Sequence, residues 1–128
     1  MSRRLPRSFG CPAELTLVLL GGKWKTAILC HLRMQPMRYS QFRRLLPELS
    51  DKVLSERLHE LEESGLVTRE VERDGPSVTV YRLSSRGESL RPVLASVYKW
   101  GLEHASVYGA RWAIPHAVSA NPLRWKEK

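Results

Sequence analysis

The chain has 128 residues, enough for one ordinary domain with a real core and too few for a substrate domain beside a cofactor domain. Its 21 Lys and Arg against 13 Asp and Glu give a formal charge of +8, which favours a polyanionic partner, nucleic acid before anionic membrane. The longest apolar run, Leu15 to Leu20 with Thr16 inside it, falls far below the roughly 20 residues of a membrane span, and no signal-peptide segment follows Arg3, Arg4 and Arg7, so cytoplasm is the expected location.

In chain order, residues 1–11 read as a basic arm, and Pro12 to Leu20 as a first helix with Cys11 at its N-cap and Gly21-Gly22 as its stop. Lys23 to Leu32 reads as a second helix, with Trp24, Ala27, Ile28, His31 and Leu32 on one face. Gln35-Pro36 ends it, and Met37 to Tyr39 forms a short extended piece before Ser40, the expected cap of a third helix carrying Phe42, Leu45 and Leu46. Pro47 halts that helix, and Ser50 caps a fourth in which Val53, Leu54, Leu58 and Leu61 form the buried stripe, ending at Ser64-Gly65.

Val67 to Arg73 and Val78 to Leu83, joined by Asp74-Gly75-Pro76-Ser77, read as a β-hairpin. Ser85-Arg86-Gly87-Glu88 has capping-box form and opens a last helix through Leu90, Val93, Leu94, Val97 and Trp100, toward Tyr108, with Pro92 kinking it or lying near its start. Residues 109–128 form a tail without a period, and 12–108 make one domain. The expected class is α+β, mostly helical: a winged helix-turn-helix with a two-stranded β wing and flanking helices suited to dimerisation.

In that arrangement the second helix of the pair enters the major groove, about 12 Å wide, with the face opposite its apolar stripe toward DNA. Lys52, Ser55, Glu56 and His59 are the candidate base-facing residues, with Ser50 at the helix start. Lys52 suits guanine or a phosphate and Glu56 suits cytosine; the plainer alternative for each is the solvated face of an amphipathic helix. Lys23, Lys25, Arg33, Arg38, Arg43 and Arg44 lie in an acid-free stretch that reads as a phosphate grip, and Gln41 joins Arg38 and Arg44 in the DNA-binding set. Glu60, Glu62 and Glu63 should point away from the duplex, while Arg73 and Ser77 are either wing contacts or turn chemistry.

Two cysteines, Cys11 and Cys30, make no disulfide framework or zinc spacing, and the scattered His31, His59, His104 and His116 pair on no helical face, so no metal or cofactor is expected. No nucleophile elbow, phosphate loop or nucleotide fingerprint points to an enzyme; the rival reading is a winged-helix module that binds protein without an operator.

Cys11-Pro12, Gly21-Gly22-Lys23-Trp24, Arg38-Tyr39-Ser40-Gln41-Phe42, Val53-Leu54-Ser55-Glu56-Arg57-Leu58, Leu61 to Val67 and Tyr81 to Ser84 are similar to motifs of the HxlR family of bacterial winged-helix regulators. Leu90-Arg91-Pro92-Val93-Leu94 and Trp100-Gly101 complete a resemblance covering about Cys11 to Gly101. It implies a sequence-specific transcription regulator that binds a palindromic operator as a homodimer through the first helix and the helix after the wing. The apolar stripes Leu15, Val18, Leu19 and Leu90, Val93, Leu94, Val97 suit that, unless they pack within one subunit. It also implies a sensing role for Cys11 toward oxidants or electrophiles, and leaves room for a small-molecule inducer. A thiol at a helix N-terminus near Arg7 would be more reactive; a structural Cys11 is the alternative, and Cys30 reads as a buried structural thiol. The long tail departs from the family pattern.

Overall fold

The computed structural model describes residues 5–72 and 77–112. The hairpin tip with Arg73, and the chain beyond Trp112 with His116 and Trp125, lie outside the described residues.

Helix α1 spans Pro12–Leu20, with Pro12 opening it and Cys11 at its extended N-cap. Helix α2 spans Lys25–Met34 and starts two residues later than the periodicity suggests. The cause is Trp24, whose φ of 84° is left-handed and ends any helix running through Lys23. That conformation costs a non-glycine residue about 1–2 kcal/mol. It is offset where the indole packs, half-buried, against the core. The Trp24 carbonyl then accepts the first helical bond of α2, from the Ile28 amide at 2.9 Å.

Strand β1, Met37–Arg38, leads into α3, Tyr39–Leu45, and α4 follows at Asp51–Glu63. The cap of α3 is Arg38 and not Ser40, because the Gln41 side chain reaches back and accepts the Arg38 amide at 2.8 Å. Strands β2, Val67–Glu72, and β3, Val78–Leu83, pair antiparallel, with Val67 opposite Leu83 and Glu72 opposite Val78. The sheet is three-stranded, β1-β3-β2, so the expected two-stranded wing gains a third strand on its inner edge, with Met37 opposite Tyr81. Beyond Val67 every residue of β2 is exposed, which carries the wing out from the body.

The helix after the wing is broken in two. Ser84, not Ser85, caps a short α5, Ser85–Glu88, by accepting the Gly87 amide at 3.0 Å, and it also donates to the Gly65 carbonyl at 2.5 Å. Glu88 therefore serves no capping box; it pairs with Arg91 at the start of α6, Arg91–His104. Pro92 sits in the first turn of α6, where its missing amide costs nothing. Gly87 is required by space: a Cβ there would lie 2.1 Å from the Leu66 carbonyl oxygen.

One core joins these elements. Ile28, Leu29 and Leu32 of α2 meet Phe42 of α3, Leu54, Leu58 and Leu61 of α4, Tyr81 and Leu83 of β3, and Leu94 of α6. The Phe42 and Tyr81 rings meet edge-on at 6.1 Å, tying α3 to the sheet. Helix α2 is buried almost all round, and even Arg33 is only 2% exposed. The Arg33 carbonyl accepts from Arg91 Nη1 at 2.8 Å, which pins the end of α2 to the start of α6.

Candidate nucleic-acid interface

Helix α4 buries Leu54, Leu58 and Leu61 completely, each burial contributing about 1.5–3 kcal/mol. That fixes the rotation of the helix, and Lys52, Ser55, Glu56 and His59 emerge together on the exposed side. Ser50 Oγ accepts the Val53 amide at 3.1 Å, so Ser50 caps α4 and keeps its hydroxyl proton for another acceptor. Gly65, at φ 80°, terminates the helix as its turn demands.

The angle between α3 and α4 is held by a polar clasp that spacing alone did not reveal. Tyr39 donates its hydroxyl proton to Asp51 Oδ1 at 2.9 Å, and Arg43 Nε approaches the same oxygen at 3.1 Å. Arg43 also donates to the Leu49 carbonyl in the turn. Tyr39 and Arg43 lie one helical turn apart and Asp51 begins α4, so the signal was present as an i, i+4 pair facing a first-turn acid. Ser55 Oγ lies 3.4 Å from the Tyr39 hydroxyl, which borders the same surface.

The basic stretch divides on folding. Arg38 and Arg44 are exposed, and Gln41 is half-buried as the cap acceptor of α3. Arg43 is committed to the clasp, and Arg33 is inside the core, where burial and the neighbouring positive Arg91 lower its pKa. Burial takes Arg33 out of any phosphate-contacting surface, while Arg43 stays part-exposed. Lys23 sits at the turn before α2, where Arg57 Nε of α4 donates to its carbonyl at 3.1 Å, and Lys25 is the first residue of α2.

His59 pairs with Glu63 at 3.2 Å and so belongs as much to the acidic end of α4 as to its exposed front. Ser77 is exposed at the base of β3, while Arg82 is engaged with Glu70 at 3.1 Å and Glu72 at 3.7 Å across the wing. Those cross-strand pairs leave the wing stem close to neutral.

Cys11 is exposed at the start of α1. The Glu14 carboxylate folds back onto the Gly10 and Cys11 amides, which sets an acidic group beside the Cys11 N-cap. Cys30 is packed against the core, and burial pushes its thiol up to about 11. Among the described residues no group of His, Cys, Asp and Glu is arranged to hold a metal ion, and no single helix is long and apolar enough to cross a membrane.

The model of the HxlR-like helix-turn-helix matches residues 19–108, most of the chain. The chain belongs to the HxlR family. The HTH-type transcriptional regulator YtcD of Bacillus subtilis is 38% identical over 109 residues, covering 84% of this chain and 86% of YtcD. The structure of the redox regulator HypR in its reduced form superposes with a TM-score of 0.73 at 34% identity, over 77% of this chain and 98% of HypR. Diamide-treated YodB from B. subtilis gives 0.62 at 32% identity, over 75% of this chain and 96% of YodB. The HxlR-like chain is thus a helix-turn-helix transcription regulator with a winged-helix fold, and redox regulators are among its structural neighbours.

Proposed function

We propose that residues 12–108 act as a homodimer that binds a palindromic DNA operator, with α4 as the base-reading helix and Cys11 as an oxidant- or electrophile-responsive thiol. The observation that carries the DNA reading is the exposed front of α4: Lys52, Ser55 and Glu56 project beside a Ser50-capped N-terminus, and Arg38 and Arg44, in the elements just before α4, are exposed as well. Base edges and phosphates need such donors and acceptors on a helix whose rotation its core already fixes. Lys52 and Glu56 have no ion pair among the described residues, so contact with a duplex breaks none.

The dimer reading rests on apolar surface left outside. Leu15, Leu17 and Val18 of α1 are exposed, Leu17 to 62%, and α6 exposes Val97 and Trp100. Trp100 stacks on His104 at 4.0 Å and lies 6.3 Å from Tyr108, an aromatic ladder at four-residue spacing that extends the same face. Such a patch suits burial against an identical copy. In the thiol reading, exposure marks Cys11 as the reactive cysteine while the raised pKa keeps Cys30 protonated at neutral pH.

Fluorescence anisotropy with the duplex upstream of the protein's own gene tests the DNA reading. Lys52→Ala is expected to weaken binding by about tenfold with the thermal melt unchanged. Equal affinity of variant and natural chain removes Lys52 from the interface.

A further inference from the structure

A cleft of about 740 Å³ opens between the N-terminal arm, α1, the glycine turn and the C-terminal half of α4. Leu5, Pro6, Val18 and Leu19 give it an apolar wall, and Lys25, Arg57, Glu60 and Glu63 give it a charged rim. That volume falls within the range of about 300–1,000 Å³ typical of small-molecule sites.

The rim charges are not equivalent. Arg57 and Glu60 pair with each other at 3.1 Å, and Glu63 lies 3.2 Å from His59, an ion pair when that imidazole is protonated. Lys25 is half-buried, lines the cleft, and forms no ion pair or side-chain hydrogen bond among the described residues. The cleft therefore offers one uncommitted ammonium beside an apolar wall. We propose that it binds a small organic monoanion with an apolar body, its carboxylate on Lys25 and its hydrocarbon against Val18 and Leu19.

The site has a route to the recognition helix, a consequence that rests on the DNA-binding reading above. Arg57 projects from α4 into the cleft while holding the Lys23 carbonyl at 3.1 Å. An anion between Lys25 and Arg57 competes for that guanidinium and shifts the balance between α4 and the turn before α2. Val18 lines the cleft and also belongs to the exposed face of α1, so the proposed dimer face borders the same ligand.

Calorimetric titration of the full chain, without DNA, with hexanoate, hexanamide and hexylamine tests the site directly. Hexanoate is expected to bind in the micromolar to millimolar range, with hexanamide about tenfold weaker, the effect of one charge-assisted hydrogen bond. Lys25→Gln should weaken hexanoate by a similar factor while Lys25→Arg retains it, with the circular-dichroism melts of both variants matching the natural chain. Absence of hexanoate binding, equal binding of hexanoate and hexanamide, preference for hexylamine, or indifference to Lys25→Gln each overturns the site. Because no DNA is present, any of these leaves the operator reading standing. Hexanoate that binds through Lys25 yet leaves duplex affinity unchanged overturns the link to α4.

Discussion

Helices α4 and α1 treat their apolar residues in opposite ways. In α4 the stripe Leu54, Leu58, Leu61 is sealed inside the subunit and the outer face is polar. In α1 only Leu20 is fully buried, and Leu15, Leu17 and Val18 face outward. A helix complete within its own subunit offers donors and acceptors to a polar partner, whereas a helix with its apolar side uncovered calls for protein. The contrast teaches that one small fold carries two surfaces of different chemistry, and α2, on which both the recognition helix and α6 pack, forms the centre between them and the helix after the wing.

Substitutions that touch one region should leave the other intact. Leu58→Ala, in the sealed stripe, should cost about 2–5 kcal/mol in urea denaturation, because it leaves a cavity the core cannot close. A loss below about 0.5 kcal/mol, the range of ordinary surface changes, would mean α4 is not anchored as described. Leu17→Asp, on the uncovered face, should raise the dissociation constant of the proposed dimer by about 100-fold in sedimentation while the fold survives, since a carboxylate there is desolvated only on association. An unchanged dimer would remove α1 from the interface.

The smallest expected effect separates the two thiols. Iodoacetamide at neutral pH should label Cys11 and spare Cys30 in the native protein, as peptide mapping would read. Burial raises the Cys30 pKa to about 11, so its thiolate is scarce below that value and labelling should rise only as pH approaches it. Diamide should then change duplex affinity for the natural chain and not for Cys11→Ser; equal responses would take the thiol out of the switch.

The helix-turn-helix was legible because its signals are local: Ser50 capping, the Val53 to Leu61 spacing and Gly65 all act within one helix. What escaped was tertiary. Arg33 counts as surface charge by composition, yet it lies on a helix buried almost all round, so the basic tract loses it, and Arg43, part-exposed, is tied to Asp51. Trp24 fits a helical stripe by spacing, but its left-handed backbone places it before α2. The extended piece at Met37 was legible, but its place as a third strand was not, because two residues carry no period; their pairing with Tyr81 and Val80 is set by the rest of the fold. Ser84 displaced Ser85 as a cap because its hydroxyl also satisfies the Gly65 carbonyl. In the candidate interface, the face of α4 followed from periodicity, while the Tyr39–Asp51–Arg43 clasp that sets its angle required two helices in contact.

The central claim is that the polar face of α4 and the exposed cations just before it grip duplex DNA. It is tested most directly by affinity for the upstream duplex as a function of salt. A protein held by phosphate contacts should show log K falling linearly with log salt, with a slope magnitude of about 0.9 per phosphate neutralised, and Arg44→Gln should reduce that magnitude by about one. No measurable binding at low salt, or a slope near zero that Arg44→Gln leaves unchanged, contradicts the account.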